Sequence, residues 1–473
     1  MRPRCLPLIF AGALTAGLAH ADVPPRYGVL EFGLDDTLFV ADATAGTITA
    51  YDLPNAGAPP AEDRAFNLLD LDALVAEALG AEGRILYADL AVHPVTRAAY
   101  VSLSASVAGK PVSAVVSVTA DGAVSVLDLA AIPSSTLTLT KTADDRVTFW
   151  RDIPAPSLTV TDLDFVRGEL FVSGLSTGEF ASTLRRVAYP FDGPETSSSI
   201  EMFHAAHGQT ETRAPIRAMS VVDLDGTATV VAAYTCTPLV TIPVAGLQDG
   251  AHVVGKTIAE LGYGNRPLDV IPFSTANMEG EVESYVLVVN REMHADLISM
   301  EAIKAAAAAP GLSQPIPYLG ATVGVQTTPL PLSGVVHAAD QDTQFLLTMR
   351  RNLDTGAMEM VSFRKGAFFR LSDFISEYNF PDYAYSDAAP LPPGGVRAGW
   401  PRPARSWRLC AAARRAGWRA CRGAVDRPRP GGQGSLIAVK TLAPSTARSD
   451  RPFRAFASKG RACHAAAKSP DRT

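Results

Sequence analysis

The stretch from Asp35 to Leu53, DDTLFVADATAGTITAYDL, contains a turn, an apolar strand, a loop of small residues and a second strand with alternating side chains. Its first strand, LFVAD at 38–42, returns five times along the chain. The related strands are AYVSL at 99, LFVSG at 170, VVAAY at 230, VLVVN at 286 and FLLTM at 345. Successive copies lie about 61 residues apart, which is typical of a repeat architecture.

Each of these six strands has companions. A short apolar run precedes it, as in GVLEFG at 28, DLAVH at 89, DLDFV at 162, AMSVV at 218, DVIPF at 269 and GVVHAA at 334. A third run follows, as in TITAYDL at 47, and weaker fourth runs are SSIEMF at 198, KTIAEL at 256 and AFFRLS at 367. Four short strands per repeat, joined by Gly, Pro, Asp and Thr turns, predict the blade of a β-propeller.

Residues 22–390 hold six such repeats, so we predict an all-β fold with six four-stranded blades. We expect the ring to close by pairing of the segment after Asp22 with the last blade, at Phe363 to Phe374, because closure removes open sheet edges. The runs at 73–81 and 301–309 have helical composition and are expected to form short helices between strands.

Residues 1–21 have a basic start, the apolar run LPLIFAGALTAGL and the small-residue ending Ala19-His20-Ala21, which predict a cleavable secretory signal. No other stretch reaches the roughly 18 apolar residues needed to cross a bilayer. We therefore predict a periplasmic or secreted protein with no membrane span after signal removal.

The charges are unevenly distributed along the chain. Residues 391–473 contain 18 Lys and Arg but 3 Asp and Glu, which leaves 24 basic and 45 acidic residues in the first 390. An acidic core of this kind is not expected to bind nucleic acid. The basic tail is either an arm for nucleic acid, heparin-like polymers or anionic lipid, or a segment without a fold of its own. We favour the second interpretation, in which the tail is disordered or derives from a frameshift in a GC-rich gene.

The paired runs, such as GVLEFGLDDTLFVADATAGTITAYDL and DLAVHPVTRAAYVSLS, resemble the blades of six-bladed propellers of the NHL-repeat, YVTN and gluconolactonase-like superfamily. The resemblance covers residues 22–390. It implies an exported sensor, scaffold or binding protein, with metal-dependent lactonases and esterases as a minority. Those enzymes gather Glu, Asn and Asp ligands around the central channel, a set that does not match this sequence residue by residue.

In a blade, the loops that enter the first strand and the loops that join the second and third strands open on the same face. Charged groups of both signs that converge on a concave mouth indicate a binding site. The candidate ligand-binding residues in these loops are Asp89, Asp162, Glu179, His207, Glu211, Arg213, Arg217, Cys236, Arg266, Asp269 and Arg291. Arg217 and Arg266 enter on adjacent blades and are predicted to bind a carboxylate or phosphate-like group.

Cys236 is the one cysteine between the signal and the tail, so we expect no disulfide within the propeller. We interpret it as a small buried hydrophobe at a strand end, with a metal ligand or nucleophile as alternatives. His204 and His207 are three residues apart; they would share a metal on a helix, but a strand end and loop is the preferred interpretation.

Two further patterns are interpreted as local structure. The run 174–178, GLSTG, fits the nucleophile elbow G-x-S-x-G, but the strands on both sides of it predict a hairpin loop instead. The run 223–226, DLDG, is predicted to be a turn instead of a calcium loop.

Two functions of different class remain. The first is a binding or scaffold module, whose channel mouth recognises a small anionic molecule or a segment of an envelope protein. The second is a metal- or quinone-dependent enzyme of the lactonase, esterase or sugar-dehydrogenase type. The sequence identifies no catalytic residue, no metal site and no cofactor, and this favours the first function.

If the tail buries nothing, its deletion after residue 390 should leave the melting temperature within about a degree, since an unstructured segment contributes little to folding. Differential scanning calorimetry of the full and shortened chains measures this. A drop of many degrees would show that the tail completes a blade.

Overall fold

The computed structural model describes residues 26–367, apart from 35, 55–56, 61, 150–152, 179, 263–264, 277–279, 318–321 and 333. The described residues all belong to one compact unit, Met1–Tyr383. The predicted signal, the predicted basic tail and the run from Phe368 onward lie outside the described residues.

Short strands dominate the first half of the chain. They are β1 (Leu30–Phe32), β2 (Thr37–Asp42), β3 (Thr47–Asp52), β4 (Asn67–Leu68), β5 (Ala81–Val92), β6 (Ala99–Val107), β7 (Lys110–Val118), β8 (Val124–Val126), β9 (Ser134–Thr138), β10 (Thr148–Phe149), β11 (Ile153–Pro154), β12 (Asp162–Val166), β13 (Glu169–Leu175) and β14 (Ser182–Ala188).

The second half continues in the same way. Its strands are β15 (Thr196–His204), β16 (Gln209–Glu211), β17 (Ile216–Leu224), β18 (Thr227–Tyr234), β19 (Pro238–Pro243), β20 (His252–Glu260), β21 (Pro267–Ala276), β22 (Val282–Asn290), β23 (Ala295–Ser299), β24 (Val323–Gly324), β25 (Thr328–Leu330), β26 (Val335–Asp340), β27 (Phe345–Arg351) and β28 (Met358–Arg364). The two predicted helices are confirmed as α1 (Leu71–Leu79) and α2 (Met300–Ala308). No helix in the described part is long and apolar enough to cross a membrane.

Most of the strands belong to antiparallel runs of four, and β10 and β11 form a separate two-stranded sheet. Four separate sheets have the orders β1-β2-β3-β9, β5-β6-β7-β8, β21-β22-β23-β25 and β26-β27-β28-β4. A ten-stranded sheet contains two more four-stranded runs, β12 to β15 and β17 to β20, which are joined by parallel pairing of β15 with β20. The six strands predicted from the repeat are confirmed as the second strand of each run: β2, β6, β13, β18, β22 and β27.

The alternation within β2 explains why the sheets stack face to face. Leu38 and Val40 pack in an apolar cluster with β6 and β7, whereas Phe39 and Ala41 pack in another with β12 and β13. All four side chains are buried, because each face of the strand meets a neighbouring sheet. A continuous apolar run is the expected pattern for a strand buried on both faces.

The first strand of each run is called an inner strand below: β1, β5, β12, β17, β21 and β26. β1 packs against β5 and β12, β17 packs against β12 and β21, and β26 packs against β21 and β5. The inner strands therefore surround a central cavity of about 290 Å³, to whose lining each of them contributes. This is a propeller-like arrangement of sheets.

The expected closure at the N-terminal segment is wrong for the described residues. β1 pairs with β2 and is an inner strand, whereas the last sheet is completed by β4, with Leu68 opposite Met360 and Asn67 opposite Val361. The first sheet is in turn completed by β9, which follows the second sheet in the chain. The first repeat thus lies between the second and the third. Its sheet takes its fourth strand, β9, from after the second sheet, whereas β4, which follows the first repeat in the chain, completes the last sheet.

Phe66 directly precedes β4 and holds it against the last sheet. Its backbone N–H donates to Ser362 Oγ at 2.7 Å, its carbonyl accepts from Ser362 N–H at 3.0 Å, and its ring is 2% exposed in a cluster shared with β6, β7 and β28. Three residues later in the same segment, Leu69 is 59% exposed.

We expect Phe66→Ala to destabilise the protein by about 3–5 kcal/mol, because it removes a buried ring and leaves a cavity. Leu69→Ala is the matched control and should change the free energy of unfolding by less than about 0.5 kcal/mol. Urea unfolding followed by circular dichroism gives both values. Equal effects of the two substitutions would contradict the packing of this segment against the last sheet.

Candidate functional site

Six carboxylates of the inner strands line the central cavity. Asp340 forms an ion pair with Lys365 at 2.6 Å, and we call the other five the acidic ring: Glu31, Asp89, Asp162, Asp164 and Asp269. An inner strand pairs with a second strand on one edge only, so the other edge leaves backbone N–H groups that need acceptors. The aspartates of the ring supply these acceptors to the neighbouring inner strand.

Four such hydrogen bonds are present. Asp89 Oδ2 accepts from Leu30 N–H at 2.7 Å, Asp162 Oδ2 from Met219 N–H at 2.6 Å, and Asp269 Oδ2 from Ala338 N–H at 2.9 Å. Asp164 Oδ2 accepts from Val221 N–H and from the Ser220 hydroxyl. Each aspartate therefore links the strand that carries it to the next strand around the cavity.

Three side chains of this region converge, and we call them the central cluster: Asp89, Asp269 and His337. His337 Nδ1 lies 3.3 Å from Asp89 Oδ1 and 3.3 Å from Asp269 Oδ1. The strand pairing is irregular immediately before each of the three residues, in β5, β21 and β26. Bulges of this kind redirect a side chain, and here they bring three neighbouring inner strands to one point.

Burial raises the pKa values of Glu31, Asp89, Asp162 and Asp164, and neighbouring carboxylates add to the shift at the first three. Burial raises the pKa of Asp89 to about 6, although His337 opposes the shift, and burial raises the pKa of Asp164 to about 6. The pKa values of Glu31 and Asp162 lie well above the usual range, because burial and the neighbouring aspartates act in the same direction. Burial lowers the pKa of His337, but Asp269 and Asp89 outweigh it, so the net shift is upward.

The central cluster offers a donor set for a divalent cation. One ligand atom from each of the three residues lies within 4.8 Å of the others. Two carboxylates and an imidazole suit borderline or hard divalent ions such as Zn²⁺ and Mn²⁺.

A second group lies at the end of β15 and the connection between β18 and β19, and we call it the histidine–cysteine cluster: His204, His207, Glu211 and Cys236. Glu211 Oε1 is 2.6 Å from His207 Nδ1 and 3.1 Å from His204 Nδ1. The two imidazole rings lie 3.7 Å apart, and one ligand atom each of His204, His207 and Cys236 lies within 4.8 Å of the others.

The electrostatics of this cluster differ from those of the acidic ring. Burial lowers the pKa of His204, but Cys236, Glu211 and Glu260 outweigh it and raise the pKa to about 9. Burial raises the pKa of Glu211, but the two imidazoles outweigh it and lower the pKa to about 2. In the neutral range the cluster therefore contains an ionised carboxylate beside a protonated imidazole.

The predicted site residues thus fall into two groups instead of one mouth. Asp89, Asp162 and Asp269 line the central cavity, whereas His207, Glu211 and Cys236 form the separate cluster. The interpretation of Cys236 as a buried hydrophobe is corrected, because the residue is partly exposed and interacts with His204.

The predicted arginines are dispersed. Arg217 is an exposed residue of β17 whose charge acts on His337. Arg266 forms an ion pair with Glu292 at 3.4 Å, and its carbonyl accepts from Arg291 N–H. Arg213 lines another pocket, beside β13, and Glu179 lies outside the described residues.

The sequence analysis did not identify three residues of the cavity, Glu31, Asp164 and His337, and it did not place His204 beside Cys236. Asp164 follows Asp162 by two positions and so shares its face of β12, a signal that could have been used. His337 lies inside the apolar run GVVHAA, and no feature of the sequence predicts the bulge that redirects its side chain.

The two patterns interpreted as local structure are confirmed. β13 ends at Leu175, and in the loop that follows, Ser176 Oγ accepts from the Thr183 hydroxyl at 2.8 Å. Asp223 Oδ1 accepts from Gly226 N–H at 2.6 Å across the turn between β17 and β18.

The acidic ring makes stability depend on pH. The folded pKa of Asp164, about 6, exceeds the usual value of 3.8, so the folded state binds more protons. Its stabilising contribution is complete below about pH 4 and is lost as pH rises through about 6. The raised pKa of His337 acts in the same direction.

We expect the free energy of unfolding, measured by urea denaturation in the presence of a chelator, to fall between about pH 4 and about pH 7, and Asp164→Asn to reduce this fall by an amount on the order of 2 kcal/mol. Asparagine keeps an oxygen for Ser220 and Val221 but has no charge. Asp128→Asn, an exposed position, is the control and should leave the slope unchanged. A slope that is the same in wild type and Asp164→Asn would contradict the assignment.

No protein-family model and no curated protein matches the sequence. Among solved structures, virginiamycin B lyase from Staphylococcus aureus is 6% identical over 71% of this chain and 94% of that chain, with a TM-score of 0.29. Drosophila semaphorin 1a, extracellular domains 1–2, is 7% identical over 73% and 86%, with a TM-score of 0.30. A glucose dehydrogenase is 10% identical over 72% and 96%, with a TM-score of 0.27. At these TM-scores the similarity assigns no residue of this chain a role.

Proposed function

We propose that this chain is an exported, periplasmic or secreted, six-bladed β-propeller that binds a ligand at its central cavity through a divalent cation held by the central cluster. The observation that carries the proposal is the convergence of Asp89, Asp269 and His337 from three neighbouring inner strands.

The blade count is supported by the contacts of the inner strands. Six four-stranded runs each contribute one inner strand, and each inner strand packs against two others in a closed cycle. The parallel pairing of β15 with β20 joins two runs at their outer edges and leaves their inner strands in the cycle. We therefore count each run of the ten-stranded sheet as one blade.

A cation is favoured by the charge around the cavity. The five carboxylates of the acidic ring repel one another, and in the cation-free protein this repulsion is relieved by protons and by the charge of His337. A divalent ion would relieve the same repulsion more effectively while His337 becomes a neutral ligand. Burial of several carboxylates around one cavity is costly without such a partner.

The anionic ligand predicted from the sequence then needs the cation. An anion alone would meet the negative field of the acidic ring, whereas a bound divalent ion together with Arg217 would offer it two positive partners. Arg266, which is paired with Glu292, contributes less than the sequence suggested. The alternative partner, an envelope protein segment, stays a prediction that no described contact tests.

A metal-dependent hydrolase of the lactonase or esterase type is the second candidate. Glu31 is the observation that favours it, because this carboxyl lines the same cavity and its raised pKa keeps it protonated as a potential proton donor. The quinone-dependent dehydrogenase has no such support among the described residues.

Isothermal titration of chelator-treated protein with Mn²⁺ should show one site at the central cluster. Asp269→Asn keeps an acceptor for Ala338 N–H but removes a charged ligand, and it should weaken cation binding at least about tenfold. Asp128→Asn should bind as the wild type does. Unchanged affinity in Asp269→Asn would overturn the cation site.

Binding of gluconate, as a probe sugar acid, should require the cation and should be weakened by Arg217→Lys, which loses the bidentate geometry while cation affinity stays the same. Gluconate binding that is equal with and without cation would contradict the coupling. Cation-dependent opening of gluconolactone that is lost in Asp269→Asn would favour the hydrolase.

A further inference from the structure

The histidine–cysteine cluster lies apart from the central cavity, at the junction of two sheets. β15 ends at His204, a turn follows, and β16 pairs back on β15 with Glu211 opposite Met202. Cys236 lies in the tight connection between β18 and β19, in the adjacent run of the ten-stranded sheet. The four side chains therefore come from two different runs and meet where these runs are joined.

We propose that His204, His207, Glu211 and Cys236 form a binding site for a transition metal ion of the zinc class, which ties the turn after β15 to the connection between β18 and β19. This site is independent of the proposed central cation and does not rest on it.

The first support is the state of His204. Its side chain is 1% exposed, and its Nδ1 faces Glu211 at 3.1 Å without a well-aligned hydrogen bond. A buried ring nitrogen without such a bond is uncommon and calls for a partner. The nearby imidazole of His207 and thiol of Cys236 show where that partner would lie.

The second support is the contact of the other ring nitrogen. His204 Nε2 lies 3.2 Å from Thr237 Oγ1, and the Thr237 hydroxyl donates to Glu260. Because that hydroxyl donates its proton to Glu260, its oxygen accepts from His204 Nε2–H. Glu260 is itself held by the N–H groups of Ala205, at 2.6 Å, and Ala206, at 3.3 Å. This series of hydrogen bonds fixes the His204 ring and leaves its Nδ1 for a metal, as hydrogen-bond partners do for other histidine ligands.

The third support is the backbone at Cys236, which has a φ of +89°. A residue with a Cβ is strained in this region, and glycine would make the same turn at lower energy. This backbone conformation places the Cys236 thiol beside His204, and that contact is the reason we infer for a cysteine where glycine would be less strained.

The donor set indicates the metal. Two imidazoles, one thiolate and one carboxylate suit tetrahedral Zn²⁺, whereas hard ions such as Ca²⁺ and Mg²⁺ prefer oxygen ligands alone. In this structure Glu211 Oε1 lies 2.6 Å from His207 Nδ1 and 3.1 Å from His204 Nδ1. A metal ion bound there would displace protons from the imidazoles, and the thiol would bind as thiolate.

Cobalt substitution in the full-length protein tests the site. After chelator treatment, Co²⁺ should bind and produce the intense thiolate-to-cobalt absorption together with tetrahedral visible bands. Zn²⁺ should displace it, since it binds such sites more tightly. Cys236→Ser keeps the size of the side chain but should lose the thiolate band. The same variant retains the cysteines at 5, 410, 421 and 463, so the difference between the two spectra isolates Cys236.

Two controls define the result. His252→Gln removes an imidazole that pairs with Glu201 outside the cluster, and Asp269→Asn removes a ligand of the central cluster; both should keep the thiolate band. Far-ultraviolet circular dichroism verifies that every variant is folded. A thiolate band of equal intensity in wild type and Cys236→Ser, or a wild type without one, would overturn the proposal. Stoichiometric Zn²⁺ should also raise the melting temperature of the wild type by several degrees more than that of Cys236→Ser.

Discussion

The hydrogen bonds between buried aspartates and the backbone of the neighbouring inner strand are the interaction on which this structure depends. A sheet that points its first strand at a central cavity exposes one edge of unpaired N–H groups there. Asp89, Asp162 and Asp269 close that edge for three pairs of neighbouring strands. The same solution concentrates negative charge in the cavity, so the contacts that hold the sheets together also create the field in which a ligand must bind.

The strands themselves follow from local pattern. A segment such as TLFVAD is apolar on both faces, and only stacking between two sheets buries both, so its role as a second strand could be predicted. Closure could not. β4 has two residues and β9 carries Ser and Thr, and neither has an apolar period. Their pairing is decided by which sheet lacks an outer strand, and that depends on the positions of β3 and β28 in the assembled array.

The site was predictable where side-chain identity and strand phase coincide. Asp89, Asp162 and Asp269 each begin an apolar run, and this places them at the cavity. His337 reaches the same place through a bulge, and bulges depend on the pairing of two strands instead of on one sequence. Cys236 and His204 are distant in the chain and meet because β15 pairs in parallel with β20. The sequence around Cys236 is typical of a buried core thiol, so the prediction that it is a buried hydrophobe was wrong.

The two clusters share one chemical property despite their different donors. In each, a cation would compete with protons for the same atoms, because His337 contacts two carboxylates in the cavity and Glu211 contacts two imidazoles at the sheet junction. A cation must displace these protons, so acid favours the cation-free form of both. The donors nevertheless separate the ions that each would select, because the cavity offers mainly oxygen and the junction offers nitrogen and sulfur. An ion bound at the acidic ring would lie on the surface that a ligand contacts, so it would affect ligand recognition. An ion bound at the junction would link two runs of the ten-stranded sheet, so it would affect the stability of the fold.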